Sequence, residues 1–239
     1  ISSVRNLTIE GIHFNLSSFD ENFGLLGANV ASGSNLEVSD IDIRDISQGF
    51  PENPNQRFPT MNTGLLFGEV VDSNIDVSRV RAFTSTDDSN PGLQGFNTGS
   101  AIGKSTGSEL SFRDYFFWGS IGSMGGSAGG LIGQVGDSSS GGDRIDVEGV
   151  SINGVLVNDD DRNSVFEPDP TDRANIGGQF GVLDSSVDSA KTNSASIKLH
   201  LNSLQAGPPA NFGWIAGQIN GTALFDDIFI GADERLFNA

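Results

Sequence analysis

The chain has 239 residues, 36% of them hydrophobic, with 32 glycines, no cysteine and a net charge of −18 from 31 acidic and 13 basic side chains. That length suits one all-β domain with a full core, and an excess of Gly, Ser, Asn and Asp implies many short strands and many corners. The missing thiols exclude disulfides, thiolate metal centres and cysteine nucleophiles, and the acidic balance argues against nucleic acid and anionic membranes as partners.

The first recurring element, φ-x-φ-x-x-φ-x-φ with φ apolar, is Leu7, Ile9, Ile12 and Phe14. A Gly-bounded apolar run, Gly24-Leu25-Leu26-Gly27, comes next, and a second φ unit follows at Leu36, Val38, Ile41 and Ile43. Gly64-Leu65-Leu66-Phe67-Gly68 then precedes Ile75, Val77, Val80 and Ala82, and Gly99-Ser100-Ala101-Ile102-Gly103 precedes Leu110, Phe112, Tyr115 and Phe117. Gly130-Leu131-Ile132-Gly133 leads to Ile145, Val147, Val150 and Ile152. Gly178-Gln179-Phe180-Gly181 is followed by a simple alternation around Ile197, Leu199 and Leu201, without the two-residue step. The last pair is Gly213-Trp214-Ile215-Ala216-Gly217 with Ala223, Phe225, Ile228 and Ile230.

Period-two alternation puts alternate side chains on one face of a strand, and a two-residue step reverses that face unless the chain turns a corner there. The corner pairs are Glu10-Gly11, Ser39-Asp40, Ser78-Arg79, Arg113-Asp114, Glu148-Gly149 and Asp226-Asp227, all polar or Gly and tolerant of a bent, solvated backbone. The expected fold is an all-β, right-handed parallel β-helix (β-solenoid) of about six irregular coils, formed as a single domain over residues 1–239. Long insertions are expected near 47–63, 84–98, 137–143, 158–175 and 203–210.

The glycine-bounded element with its polar turn and short strand resembles the GLUG repeat of secreted and surface-attached bacterial proteins. The opening Val4-Arg5-Asn6-Leu7-Thr8-Ile9-Glu10-Gly11-Ile12-His13-Phe14 is similar to a coil of pectate-lyase-type β-helices. The resemblance implies a stacked parallel fold and a secreted or cell-surface location; a start at Ile1 without Met leans the same way.

Chemistry is sparse. Asp159, Asp160, Asp161 and Asp169 in one acidic insertion could supply oxygen ligands to calcium, although the spacing of a known calcium loop is missing. Gly103-Lys104-Ser105-Thr106-Gly107 spells G-x-S-x-G without the strand–elbow–helix setting of a hydrolase. His13 and His200, the only histidines, sit at outward positions, which disfavours a triad or a histidine metal site. Arg79, Arg81 and Arg113 occupy neighbouring units, where pairing with acids of adjacent coils is the plain expectation. Phe116 and Trp118 point outward from an aromatic strand and could bind a sugar face or another subunit, unless the Gly-rich stretch at 119–130 covers them.

The expected function is therefore that of a non-enzymatic extracellular or cell-surface structural protein (filament subunit, stalk or adhesin segment). It would associate end to end as a homo-oligomer or polymer, without a cofactor beyond calcium. The alternative is a carbohydrate-binding or polysaccharide-cleaving β-helix, with a glycan as partner. Neither nucleic-acid binding nor membrane insertion is expected.

Overall fold

The computed structural model describes residues 2–15, 22–49, 61–85, 92–137, 142–158, 175–202 and 211–232. In chain order these form β1 (Ser2–Asn15), β2 (Gly27–Val30), β3 (Asn35–Gly49), β4 (Asn62–Gly64), β5 (Phe67–Val71) and β6 (Asn74–Thr84). There follow β7 (Leu93–Gly99), β8 (Ile102–Thr106), β9 (Glu109–Gly129), β10 (Ile132–Val135) and β11 (Asp143–Asn158). The last are β12 (Asn175–Gly177), β13 (Phe180–Leu183), β14 (Val187–Asn202), β15 (Asn211–Gly213), β16 (Ala216–Ile219) and β17 (Ala223–Ala232). The protein is all-β, and no helix occurs among the described residues.

All strand pairs are parallel. One path runs β1-β3-β6-β9-β11-β14-β17, and a second sheet runs β2-β5-β8-β10-β13-β16. A third ladder joins β4, β7, the far end of β9, β12 and β15. Successive repeats thus give one strand to each ladder, except that the first joins the third ladder only through the Phe23–Thr63 bridge, and the apolar faces meet in one core of Val38, Ile41, Val77, Phe112, Val147 and their equivalents.

The expected corners are a column of left-handed residues. Asn6, Asp40, Arg79, Asp114, Gly149, Ser194 and Asp227 all have φ between +49° and +65°. The strand registers place them side by side. One αL residue after two inward slots turns the chain and lets the next two slots face the same core. Gly, Asn and Asp are the residues that tolerate this conformation, which explains most of the column.

Three expectations are corrected here. Leu7 pairs with Ile41, not Leu36, because Val4 and Asn6 supply an earlier slot and corner on β1. The Glu10-Gly11 corner lies one bend further on, where Gly11 and Asp45 also have positive φ. The step missing from the decayed repeat is present at Asn193-Ser194, between Thr192 and Ala195. Ala and Thr fill its inward slots, so hydrophobic spacing does not mark it. The insertion expected near 84–98 contains most of β7, Leu93–Gly99, and the Gly-rich stretch at 119–130 belongs to β9, which continues through Gly129.

The glycine-bounded element is a two-residue bend between two short strands. Its opening glycines, Gly64, Gly99, Gly129, Gly177 and Gly213, form one ladder. A Cβ on Gly99 would lie 2.2 Å from the carbonyl oxygen of Ile102, an impossible approach. The closing glycine faces a different obstacle: a Cβ on Gly103 would lie 2.4 Å from the Thr63 backbone nitrogen. Both glycines exist because backbone passes where a side chain would be, so the true spacing is G-x-x-x-G. In the first copy Gly24 opens the bend and Ala28 stands at the closing position; Gly27 is the partner of Phe67.

Candidate functional site

Two residues before each opening glycine stands a polar side chain, in the order Asn22, Asn62, Asn97, Ser127, Asn175 and Asn211. Asn62 Nδ2 donates to Asn22 Oδ1 at 2.8 Å, Asn97 Nδ2 to Asn62 Oδ1 at 2.9 Å, and Ser127 Oγ to Asn97 Oδ1 at 2.8 Å. Asn211 Nδ2 donates to Asn175 Oδ1 at 2.7 Å. This amide ladder holds the repeats in register. The motif [NS]-x-G-x-x-x-G could have exposed it in the sequence.

Asp143 is fully buried at the start of β11. Its carboxylate accepts hydrogen bonds from Ser105 Oγ at 2.9 Å and from the backbone N–H groups of Gly107 and Ser108 at 2.9 and 3.1 Å. Burial pushes its pKa up, and the three donors partly offset that. Ser105 of the G-x-S-x-G match is therefore a buried donor on β8, clamped to an aspartate, and Lys104 pairs with Asp137 at 3.4 Å. Neither is arranged as a nucleophile or a phosphate ligand.

The outer surface of the long sheet carries the remaining candidates. At the corner column, Arg79 makes a two-pronged contact with Asp40, at 2.7 and 2.9 Å. That contact holds the Asp40 carboxyl below its usual range. Arg113 lies 3.4 Å from Asp76 and 4.0 Å from Glu148. Arg44 grips Asp42 through both oxygens, and Arg81 approaches the same carboxylate at 3.7 Å. The Arg44 guanidinium holds the Asp42 carboxyl below its usual range. Asp40, Asp42, Arg79, Arg81 and Asp114 line a shallow depression. The arginines of the neighbouring units are thus engaged by acids of adjacent strands.

Beyond the corner the face changes character. The outward pair is Arg81 and Phe83 on β6, Phe116 and Trp118 on β9, Ser151 and Asn153 on β11, and Ser196 and Lys198 on β14. Phe116 is half-buried, with its ring centroid 5.5 Å from that of Phe83; Trp118 is 49% exposed. Asn153 Nδ2 donates to Ser151 Oγ at 3.0 Å. The stretch expected to cover these rings is itself strand β9. Phe83 was missed because only the strand register reveals that it stands beside Trp118.

Asp159, Asp160, Asp161 and Asp169, the calcium candidates, lie outside the described residues. Among the described residues no group of three or more acidic or histidine side chains could hold a metal ion. His13 is exposed and bonds Ser47 Oγ, while the side chain of His200 lies outside those described. No helix among the described residues is long and apolar enough to cross a membrane.

The last repeat is the other unusual surface. Leu224 is 62% exposed, Phe229 59% and Ile230 41%, and Phe212, Trp214 and Ile219 are also exposed. β17 and β1 are the outermost strands of the long path.

No protein-family model matches the chain, and neither the curated proteins nor the solved structures include a match.

Proposed function

We propose that the chain is a right-handed parallel β-solenoid of about six turns, with GLUG-like bends, that serves as a non-enzymatic structural protein at the cell surface or outside the cell. It works by stacking end to end. The carrying observation is the match between its two outermost strands. If β1 of a second copy continues the ladder past β17, the αL residue Asn6 follows Asp227 in the corner column. Val4 then lies beside Phe225, Leu7 beside Ile228 and Ile9 beside Ile230, while Arg5 meets Asp226. Exposed apolar positions of the last repeat would be covered, and two strand edges that have no partner among the described residues would be satisfied. Such a contact is head-to-tail and does not close on itself, so it yields filaments or rods.

Sedimentation and negative-stain microscopy of the purified protein test this directly. Rods longer than one molecule are expected, growing with concentration. Arg5→Glu and Asp226→Arg should each shorten them, and the double exchange should restore them. A monomer at every concentration and salt level would refute the reading.

A further inference from the structure

The chain carries 31 acidic residues, yet among the described residues the outward positions of β6, β9, β11 and β14 just beyond the corner column carry no carboxylate. Instead they present three aromatic rings, Phe83, Phe116 and Trp118, with a cation beside Phe116 on β6, Arg81, and another two strands beyond Trp118 on β14, Lys198. Arg81 is only loosely held among the described residues: it approaches Asp42 at 3.7 Å, and Arg44 already engages both oxygens of that carboxylate. Trp118, half exposed, offers a flat apolar surface, and Ser151 and Asn153 on the next strand put a hydroxyl and an amide beside it.

We propose that this face binds an acidic polysaccharide laid across the strands, its sugar rings stacked on Trp118 and Phe116 and a carboxylate held by Arg81. The C–H face of a pyranose packs on an aromatic ring, and its hydroxyls need side-chain donors and acceptors at the rim. Asn153 and Ser151 provide them. A guanidinium favours a planar carboxylate over a neutral hydroxyl because it can donate two parallel hydrogen bonds to it. The net charge of −18 opposes any acidic polymer at long range. At physiological salt, however, fields are screened within about 8 Å, so the local cations decide. This inference does not depend on end-to-end stacking.

Isothermal titration of the full chain with alginate oligosaccharides, and with dextran of matched length as the neutral comparator, tests the inference. Alginate is expected to bind and dextran to bind at least roughly tenfold more weakly, equivalent to one well-placed ionic contact. Trp118→Ala should weaken alginate binding by about tenfold or more, while Trp214→Ala, on the last repeat, should leave it unchanged. Arg81→Gln should remove the preference for the acidic chain. All three positions are exposed, so unchanged thermal melts would confirm that the variants fold. Failure to bind alginate, equal binding of dextran, or indifference to Trp118→Ala would each overturn the proposal.

Discussion

Ser194 holds an αL backbone, φ +58°, where its neighbours in the column are Gly149 and Asp227. Serine gains nothing there that glycine would lose, since the position is an exposed corner. Relief of the left-handed penalty outweighs the extra freedom that glycine adds to the unfolded chain. Ser194→Gly is therefore expected to stabilise the protein by about 0.5–1 kcal/mol, read as a higher urea midpoint at unchanged slope. Arg79 is the contrasting case, because its strained backbone comes with the Asp40 ion pair. The Asp40 carboxyl is held below 3.8, so its stabilising contribution is complete above that pH and disappears as pH falls through the lower folded value. Asp143 has the opposite sign: with its pKa raised, ionisation as pH rises from 3.8 works against the fold. Denaturant melts from pH 6 down to about 2.5 should show the stability gap between wild type and Asp40→Asn closing in acid. A gap independent of pH would mean that the ion pair contributes nothing.

At the scale of the element, the glycine-bounded bend separates two kinds of glycine. Gly99→Ala forces a Cβ to 2.2 Å from a carbonyl oxygen and should cost about 3 kcal/mol or more, or prevent folding. Gly27→Ala meets nothing closer than 3.6 Å and should be tolerated within about 0.5 kcal/mol. Thermal melts of the two variants would distinguish a spatial requirement from a merely compositional one. The same contrast explains what the sequence made legible. Inward slots filled by Ile, Val, Leu and Phe announce themselves by spacing, and five of the six corner pairs were found in the right column. Slots filled by Ala190, Thr192 and Ala195 give no such signal, because their burial is set by neighbouring strands rather than by their own hydrophobicity. The amide ladder stayed hidden for a related reason: polar residues in an acidic, Asn-rich chain read as surface until their partners one repeat away are known. Of the candidate site, Phe116 and Trp118 were legible by alternation, whereas the place of Phe83 beside Trp118 and the contact between Arg81 and Asp42 exist only across strands.

For the whole molecule the decisive balance is between strand-edge pairing and self-repulsion. Stacking two copies brings together surfaces that each belong to a chain of charge −18. The favourable contacts are short-range, an extended strand edge and the apolar side chains around Ile228 and Ile230, whereas the repulsion is long-range and screened by salt. Assembly is therefore expected to strengthen between about 0.01 and 0.5 M NaCl, as the screening length falls from roughly 30 Å to a few ångströms. Light scattering across that range measures it. Rods that dissolve with added salt would instead mark Arg5 and Asp226 as the main source of cohesion.

The corner column recurs along the long path and the bend recurs with it, as G-x-x-x-G in five copies and with Ala28 at the closing position in the first, so each repeat sets its own frame. A residue inserted inside a long strand displaces every side chain beyond it to the wrong face, up to the next αL position. A residue inserted between a long strand and the next bend is absorbed, because the following glycines seat the chain again. Damage of this kind stays confined to one layer. Such a chain can drift in the length of its connecting stretches while its stacked layers keep their alignment, as its unevenly spaced glycine bends already illustrate.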